Sequence, residues 1–543
     1  MSGRDGNRPA GLDRRSLLAG LGGLLGCANV KLAGPFPVAT RCDPAVCTQV
    51  DVHAHVFNGS DLPIGGFLEH QVPFIGERLR PVTARLHQAV HGSSPNAAEE
   101  LTASRALFDA DKPVEPVVST KIKDAVRAIM KETEGWAVWD WLSGRDVAGT
   151  ADRIADMFAF ITRPRYQIAA SCARIYGTVD LFTPSLIDYD HWSEDEPETP
   201  FEQQIGVHER VAKLSIRGKI ARADARFHPL TSFDPLREVR TAMVTGRYAP
   251  FGAPVVAGAP MPPVDPATLP ALPAQPTEDW ARQTTSIASG TSSLGIVRQS
   301  IERAGFVGVK LYPTVGYLPL RNDCWDVHQR GGLGAQLDQA LRAFYAYCVA
   351  MDVPVMTHAS NSNGYALGYG LLASPAAWAP VLKEFPKLRL NLGHFGHLEG
   401  WDDDRGLTAC EAWIRQAAVL MQRYDNVYAD VSASAMPVQA GFDARYLPIL
   451  KEITEKYPRT RLRLMYGSDF WVNRIDAQAD LDVDAFADLL PKAKLDAALV
   501  AGIMGGNALR FLGFLDDKGD KPNTQGRARL GSFYGANPKP EWL

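Results

Sequence analysis

From about Cys47 onward the chain alternates short apolar runs with longer stretches of helical periodicity. Eight β-rich runs predict strands: Gln49–Val56, Thr178–Ile187, Ala221–Phe227, Val307–Tyr312, Val353–His358, Leu388–His394, Asn426–Ser432 and Arg461–Asp469. Between the later ones, Leu337–Met351, Pro375–Glu384, Ala409–Arg423 and Ala444–Lys456 predict helices. Strands that alternate with helices predict a parallel sheet, and eight βα units predict a closed (β/α)8 TIM barrel. His358, His394, Asp430 and Asp469 follow one another at intervals of 36, 36 and 39 residues. One βα unit of that length returns the chain to the same end of a barrel. No sequence repeat accompanies this rhythm, so these are equivalent positions in a fold, not a solenoid.

The length of 543 residues exceeds a minimal barrel, and two insertions account for the excess. Residues 60–165, after the first strand, read as mainly helical, with an aromatic stretch from Trp136 to Trp141. The position makes it a candidate lid or substrate wall and equally a scaffold or oligomer contact. Residues 240–280, between strands 3 and 4, are rich in Pro and Ala and predict an extended surface excursion. The barrel is expected over residues 48–515, followed by a tail at 516–543. At the other end, Arg14-Arg15 precede the apolar, Gly-rich run Ser16–Gly26, and Leu24-Leu25-Gly26-Cys27 has the form of a lipobox. Residues 1–27 therefore predict a twin-arginine leader and an exported, periplasmic or envelope-associated protein, with a lipid anchor at Cys27 as the one membrane contact. A cytoplasmic protein with a frayed leader is the alternative reading.

Composition adds exclusions. A net charge of -4 and the lack of an aromatic-basic stripe argue against nucleic acid as a partner. Of the seven cysteines, Cys42 and Cys47 could form a local disulfide after export; Cys172, Cys324, Cys348 and Cys410 read as buried apolar residues. No Gly-rich phosphate loop or Gly-x-Ser-x-Gly elbow occurs.

The candidate chemistry lies at strand ends. In Val50-Asp51-Val52-His53-Ala54-His55-Val56 side chains alternate faces. The valines and Ala54 suit the helix-covered face; Asp51, His53 and His55 point into the barrel. Barrel interiors are normally apolar, and burying two imidazoles and a carboxylate is costly without partners. A cation is such a partner. His358, His394 and Asp469 each end an apolar run, where barrel enzymes keep catalytic groups; singly, each could be a satisfied core or capping residue. His397, His228 and the Arg321-Asn322-Asp323 loop are weaker candidates, read mainly as structural, although His228 ends strand 3 and so faces the site.

The set Asp51-x-His53-x-His55, His358, His394 and Gly467-Ser468-Asp469 resembles the amidohydrolase superfamily. Phe385-Pro386-Lys387-Leu388 leading into Leu392-Gly393-His394-Phe395-Gly396, with Gly506-Asn507-Ala508, is similar to its amidohydrolase-related branch, which includes aminocarboxymuconate-semialdehyde decarboxylase. The resemblance implies one divalent cation, zinc first, held by His53, His55, His358 and Asp469, with His394 and Asp469 as the catalytic proton-handling residues. Gly308-Val309-Lys310-Leu311 resembles the strand-4 lysine of two-metal members. A carbamylated Lys310 would imply two metals; an unmodified one could bind an anionic group of a small-molecule substrate. Hydrolysis of an amide, lactone or ester is the leading expectation, non-oxidative decarboxylation the alternative, and a binding protein on an inactive barrel the third reading. Oligomeric state is not legible.

Overall fold

The computed structural model describes residues 48–63, 84–85, 87–115, 124, 126–128, 158–193, 195–248, 253–254, 269, 271–272, 279–324, 332–361, 364–365, 368–396, 404–432, 442–470, 490 and 495–543; over 404–411 and 442–446 it describes the backbone only. The leader with Cys27, Cys42 and Cys47, the Trp136–Trp141 stretch, most of the Pro-rich excursion and His397 lie outside these residues.

Eleven strands are described: β1 Val50–Ala54, β2 Leu181–Pro184, β3 Arg226–Phe227, β4 Leu230–Ser232, β5 Arg247–Tyr248, β6 Ala253–Pro254, β7 Gly308–Leu311, β8 Val355–His358, β9 Leu390–Gly393, β10 Val427–Asp430 and β11 Leu464–Met465. The pair β5 and β6 forms a small antiparallel hairpin. The others form two parallel sheets, β1-β2-β3 and β11-β10-β9-β8-β7-β4. Backbone bonds join their edges. Leu186 N donates to Leu230 O at 3.0 Å, and at the other seam Val52 N donates to Tyr466 O at 3.2 Å and Asp469 N to His53 O at 2.7 Å. The strands therefore run as a closed ring of eight, with β3 and β4 as two parts of one strand interrupted at His228-Pro229. All eight sequence-predicted strands occupy their places. The third differs: it continues past Pro229 to Ser232, because Pro229 removes one ladder donor without ending the extended run.

The helices used below are α1 Ala97–Ala103, α2 Arg165–Ile175, α3 Phe201–Ile216, α4 Pro235–Thr245, α5 Ser293–Arg303, α6 Gly334–Ala350, α7 Ala379–Glu384, α8 Asp404–Arg423, α9 Phe442–Lys456, α10 Asn507–Phe511 and α11 Gln525–Tyr534. Local chemistry sets their ends. Asp234 caps α4, accepting from Leu236 N and Arg237 N, with Pro235 at the first helical position and Gly246 left-handed after the last. Among the described residues no helix is long and apolar enough to cross a membrane.

Residues 502–543 fold back across the end of the barrel where the strands begin. Gly505 lies so close to Thr48 O that a Cβ would clash at 1.7 Å, and Gly305 is covered by the Phe533 ring. Tyr534, Trp542 and Leu543 are buried in one apolar cluster with Val50, Val52, Leu181 and Met356. The segment 516–543, expected as a tail, is thus part of the packed body. His228 belongs to this end, which corrects the expectation that it faces the site. Its Nδ1 donates to Gly305 O at 3.2 Å and its Nε2 accepts from the Tyr534 hydroxyl at 3.0 Å, with the Phe533 and Trp542 rings beside it. Cys172 and Cys348 are buried free thiols as expected; Cys324 is exposed.

His208, on α3, is buried, and among the described residues neither ring nitrogen has a partner. Burial, and more weakly the Arg165 charge, lower its pKa to about 3. A depressed histidine keeps its contribution at pH values above the unfolded pKa and loses it as pH falls towards the folded one, because the unfolded chain takes the proton first. We expect His208→Leu to raise stability by about 1–3 kcal/mol at neutral pH by removing an unpaired buried N–H. It should also flatten the acid loss by about 1.4 kcal/mol per pH unit from about pH 6 downward. Parallel urea titrations at pH 7 and pH 5 check this; an unchanged difference between the two chains contradicts it.

Candidate metal centre

The sequence-predicted site residues stand at or near the C-terminal ends of strands: His53 on β1 and His55 just after it, Lys310 on β7, His358 at the end of β8, His394 after β9 and Asp469 after β11. Two glycines make room for His53. A Cβ on Gly467 would stand 2.6 Å from His53 Cβ, and one on Gly393 would stand 3.1 Å from the imidazole. These are the glycines of the Gly-His and Gly-Ser-Asp pairs in the sequence.

The imidazoles are anchored through Nδ1. His53 Nδ1 lies 3.1 Å from Asp430 Oδ1 and 2.8 Å from Ser432 Oγ. His55 Nδ1 donates to Ser185 O at 3.0 Å, and His394 Nδ1 donates to Ser432 O at 2.9 Å. Since His394 thereby donates through Nδ1, its Nε2 accepts from His358 Nδ1 at 3.1 Å. The Nε2 atoms of His53 and His55 face Asp469, 3.9 and 3.3 Å from its Oδ1. His53, His394 and Asp469 form the tightest donor group, each offering an atom within 4.8 Å of the others. The structure thus brings all five residues together, but it seats His394 inside the compact group, where the sequence reading had made it an accessory base.

The electrostatics are those of a buried basic cluster awaiting positive charge elsewhere. Burial first, then the Lys310 charge, lower His53 to about 4. His358 is lowered well below the imidazole range by burial and by His394. Burial alone would raise Asp469; its contact with His55 and the nearby imidazoles outweigh it and hold it at about 2. Burial would also raise Asp430, but His53 keeps it well below the carboxylate range. His53 and His358 are therefore neutral imidazoles, and Asp469 and Asp430 ionised carboxylates, the forms in which such groups bind a cation. A metal-binding histidine typically donates its other N–H to a carboxylate or carbonyl, which is what Asp430, Ser185 and Ser432 receive. The residues fit a divalent cation.

Lys310 is fully buried, its Nζ 2.8 Å from His53 Nε2 and 3.4 Å from Met356 Sδ. Burial brings its amine down to about 8 against the opposing pull of Asp430 and Asp469. The amine stands against the lone pair that a ligand histidine would use, so Lys310 lies within the donor cluster. Asp51 points inward as expected but touches none of the imidazole nitrogens. It accepts from Ser468 N at 2.9 Å and Ser468 Oγ at 2.6 Å, tying the first strand to the Asp469 turn. His394 and Asp469 have φ of 65° and 55°, strained values for such residues, at a cost of about 1–3 kcal/mol each. Asn322 is bound to Leu318 and Asp338 and Arg321 is exposed, so that loop is structural.

Sequence reading assigned no role to Asp430, Ser432 or Asn391. Asp430 accepts from Asn391 Nδ2 at 2.7 Å, from His394 N at 3.1 Å and from the Ser432 hydroxyl, besides holding His53. The signal for Asp430 was present, since it ends an apolar strand in the same 36-residue rhythm.

A family model described as Amidohydrolase matches residues 223–514, which include Lys310, His358, His394, Asp430 and Asp469 but not His53 and His55. No curated protein matches the chain. Among solved structures, an uncharacterised TIM-barrel protein from Bordetella bronchiseptica is 15% identical with a TM-score of 0.35, covering 78% of this chain and 98% of its own. A 5-carboxyvanillate decarboxylase from Novosphingobium aromaticivorans, with bound manganese, is 14% identical with a TM-score of 0.34, covering 74% and 96%. An amidohydrolase from Burkholderia multivorans, with bound zinc, is 17% identical with a TM-score of 0.28, covering 38% and 64%.

Proposed function

Since the chain belongs to the amidohydrolase family, we propose that it is a metal-dependent hydrolase of a small amide, lactone or ester. The observation that carries this reading is the set of outward-anchored imidazoles whose Nε2 atoms gather around one ionised carboxylate, Asp469. His53, His55, His358 and Asp469 hold the cation, zinc for preference. When bound, it supplies Lewis acidity and makes hydroxide available near neutral pH. Asp430, Ser185 and Ser432 keep the imidazoles in the tautomer that leaves Nε2 unprotonated. His394, fixed by Ser432 through Nδ1, and Asp469, ionised at neutral pH, handle the proton that passes to the leaving group.

Non-oxidative decarboxylation is the second reading, and Lys310 favours it, because a buried amine beside the donors can hold a substrate carboxylate. Metal quantitation followed by a panel of amides, lactones, esters and aromatic acids decides between the two. Loss of turnover on chelation, restored by zinc, is expected. Release of carbon dioxide without consumption of water would select the second reading, and full activity in chelator would sink both.

His394→Ala separates holding the metal from moving the proton. Four other donors remain, so we expect close to one metal equivalent to stay bound while turnover falls about 10²–10⁴-fold. If elemental analysis shows the metal lost with the side chain, His394 is a ligand, as its place in the tightest donor group would then explain.

A further inference from the structure

A second pair of histidines stands outside the metal centre, in the insertion after β1. Residues 87–91 are helical, so His87 and His91 lie one turn apart on the same face. Helical side chains lean towards the N-terminus, which brings the His91 ring over the turn that carries His87. The two half-buried rings have centroids 4.0 Å apart and planes tilted by 48°. This helical turn is packed on the turn that follows β1. A Cβ on Gly59 would collide with the side chains of Val90 and Ser94, and His91 Nε2 lies 3.3 Å from Leu62 O. A carbonyl only accepts, so Nε2 carries the proton and Nδ1 of a neutral His91 keeps its lone pair. A metal-binding histidine is typically held in this way, its other N–H given to a carbonyl, and His55 in the metal centre is held so by Ser185 O.

The segment 195–199 lies against the same turn. Thr199 N donates to Ser60 O at 2.7 Å, and the Thr199 hydroxyl accepts from Ala97 N at 3.2 Å. The segment carries Asp195 and Glu198, whose charges reach His87. Burial first, then the His91 charge, hold His87 below the usual imidazole range against the pull of these two acids. At neutral pH His87 therefore presents a lone pair and not a charge, in a negative field.

We propose that His87 and His91 form a second metal site, a bidentate chelate for a borderline-soft divalent cation such as zinc, with water in the remaining positions and Asp195 and Glu198 supplying the negative field. Two histidines at i and i+4 on one helix face are a spacing at which both imidazoles reach one ion. Among the described residues the compact donor group is the one at the barrel mouth. With two protein donors the helix pair is the weaker site and gives up its ion during purification. When bound there, the ion fixes the His91 tautomer that donates to Leu62 and so holds the insertion against the turn leading out of β1. The pair shares no residue with the metal centre, and the proposal does not rest on that reading.

The test is a calorimetric titration of the chelator-stripped full chain with zinc chloride, for wild type, His87→Ala, His91→Ala and His53→Ala. Wild type should show two uptake events. His87→Ala and His91→Ala should lose the weaker equivalent and keep the stronger, whereas His53→Ala should lose the stronger and keep the weaker. If His91→Ala does not fold without its bond to Leu62, His87→Ala carries the test alone. Undiminished zinc stoichiometry in His87→Ala overturns the proposal, and so does a single wild-type event that disappears in His53→Ala. A single event lost in His87→Ala but kept in His53→Ala supports this site and sinks the metal-centre reading instead. A wild-type chain that takes up no zinc overturns both.

Discussion

His53→Ala protein is expected to emerge from purification without metal and without turnover. His53 Nε2 is one of three donor atoms within 4.8 Å of one another, and its other nitrogen is fixed by Asp430 and Ser432. Removing it deletes a donor from the centre of the cluster and leaves the Asp430 carboxylate buried without its imidazole. Asp430→Asn is the graded companion. It keeps every donor but replaces the acceptor that orients His53, and such partners typically contribute 10–100-fold in metal affinity. Elemental analysis of both variants, with zinc titration of the chelated proteins, gives the expected order: wild type tightest, Asp430→Asn intermediate, His53→Ala weakest. A full metal equivalent in His53→Ala would remove that residue from the ligand set.

A second large effect is expected far from any chemistry. Arg165, at the start of α2, is wholly buried and bridges Asp61, in the turn after β1, to Glu100 on α1. Its Nη2 also donates to Ser60 Oγ at 3.0 Å, and its backbone N–H to Glu100 Oε2 at 2.9 Å. Burial pushes Glu100 up to about 7 in spite of the arginine, so the cluster is finely balanced. Arg165→Met would strand two carboxylates in the interior, and breaking a buried ion network in this way costs about 3–5 kcal/mol. Urea denaturation should show that loss. A difference under about 1 kcal/mol would mean that water reaches the acids and that the network is less dry than its geometry implies.

The barrel was legible in the sequence because its signal is redundant. Val353–His358 and Leu388–His394 each combine an apolar run with a terminal polar residue, and the rhythm of 36 to 39 residues fixes their common end. The metal residues were legible for the same reason: a histidine ending an apolar strand contradicts its surroundings, and contradiction is visible one residue at a time. His228 shows the limit. It too follows an apolar run, but the extended chain continues through Pro229, so His228 meets Tyr534 at the far end instead of the mouth. Nothing local announces a partner 306 residues away. Roles that depend on who touches whom, such as the acceptors Ser432 and Ser185, come only from the fold.

The clasp between Asp51 and Ser468 joins residues 417 positions apart, and the His53–Asp430 contact spans 377. The chain must therefore be made past Ser468 before both of these contacts of the first strand can form. An emerging chain carries His53 and His55 early, with neither Asp469, which faces both, nor Asp430, which sets the tautomer of His53. Contacts of such long range form late and slowly. On the metal reading proposed above, the donor set is complete only once the ring has closed, so metal uptake there is expected to follow closure of the barrel and not to precede it.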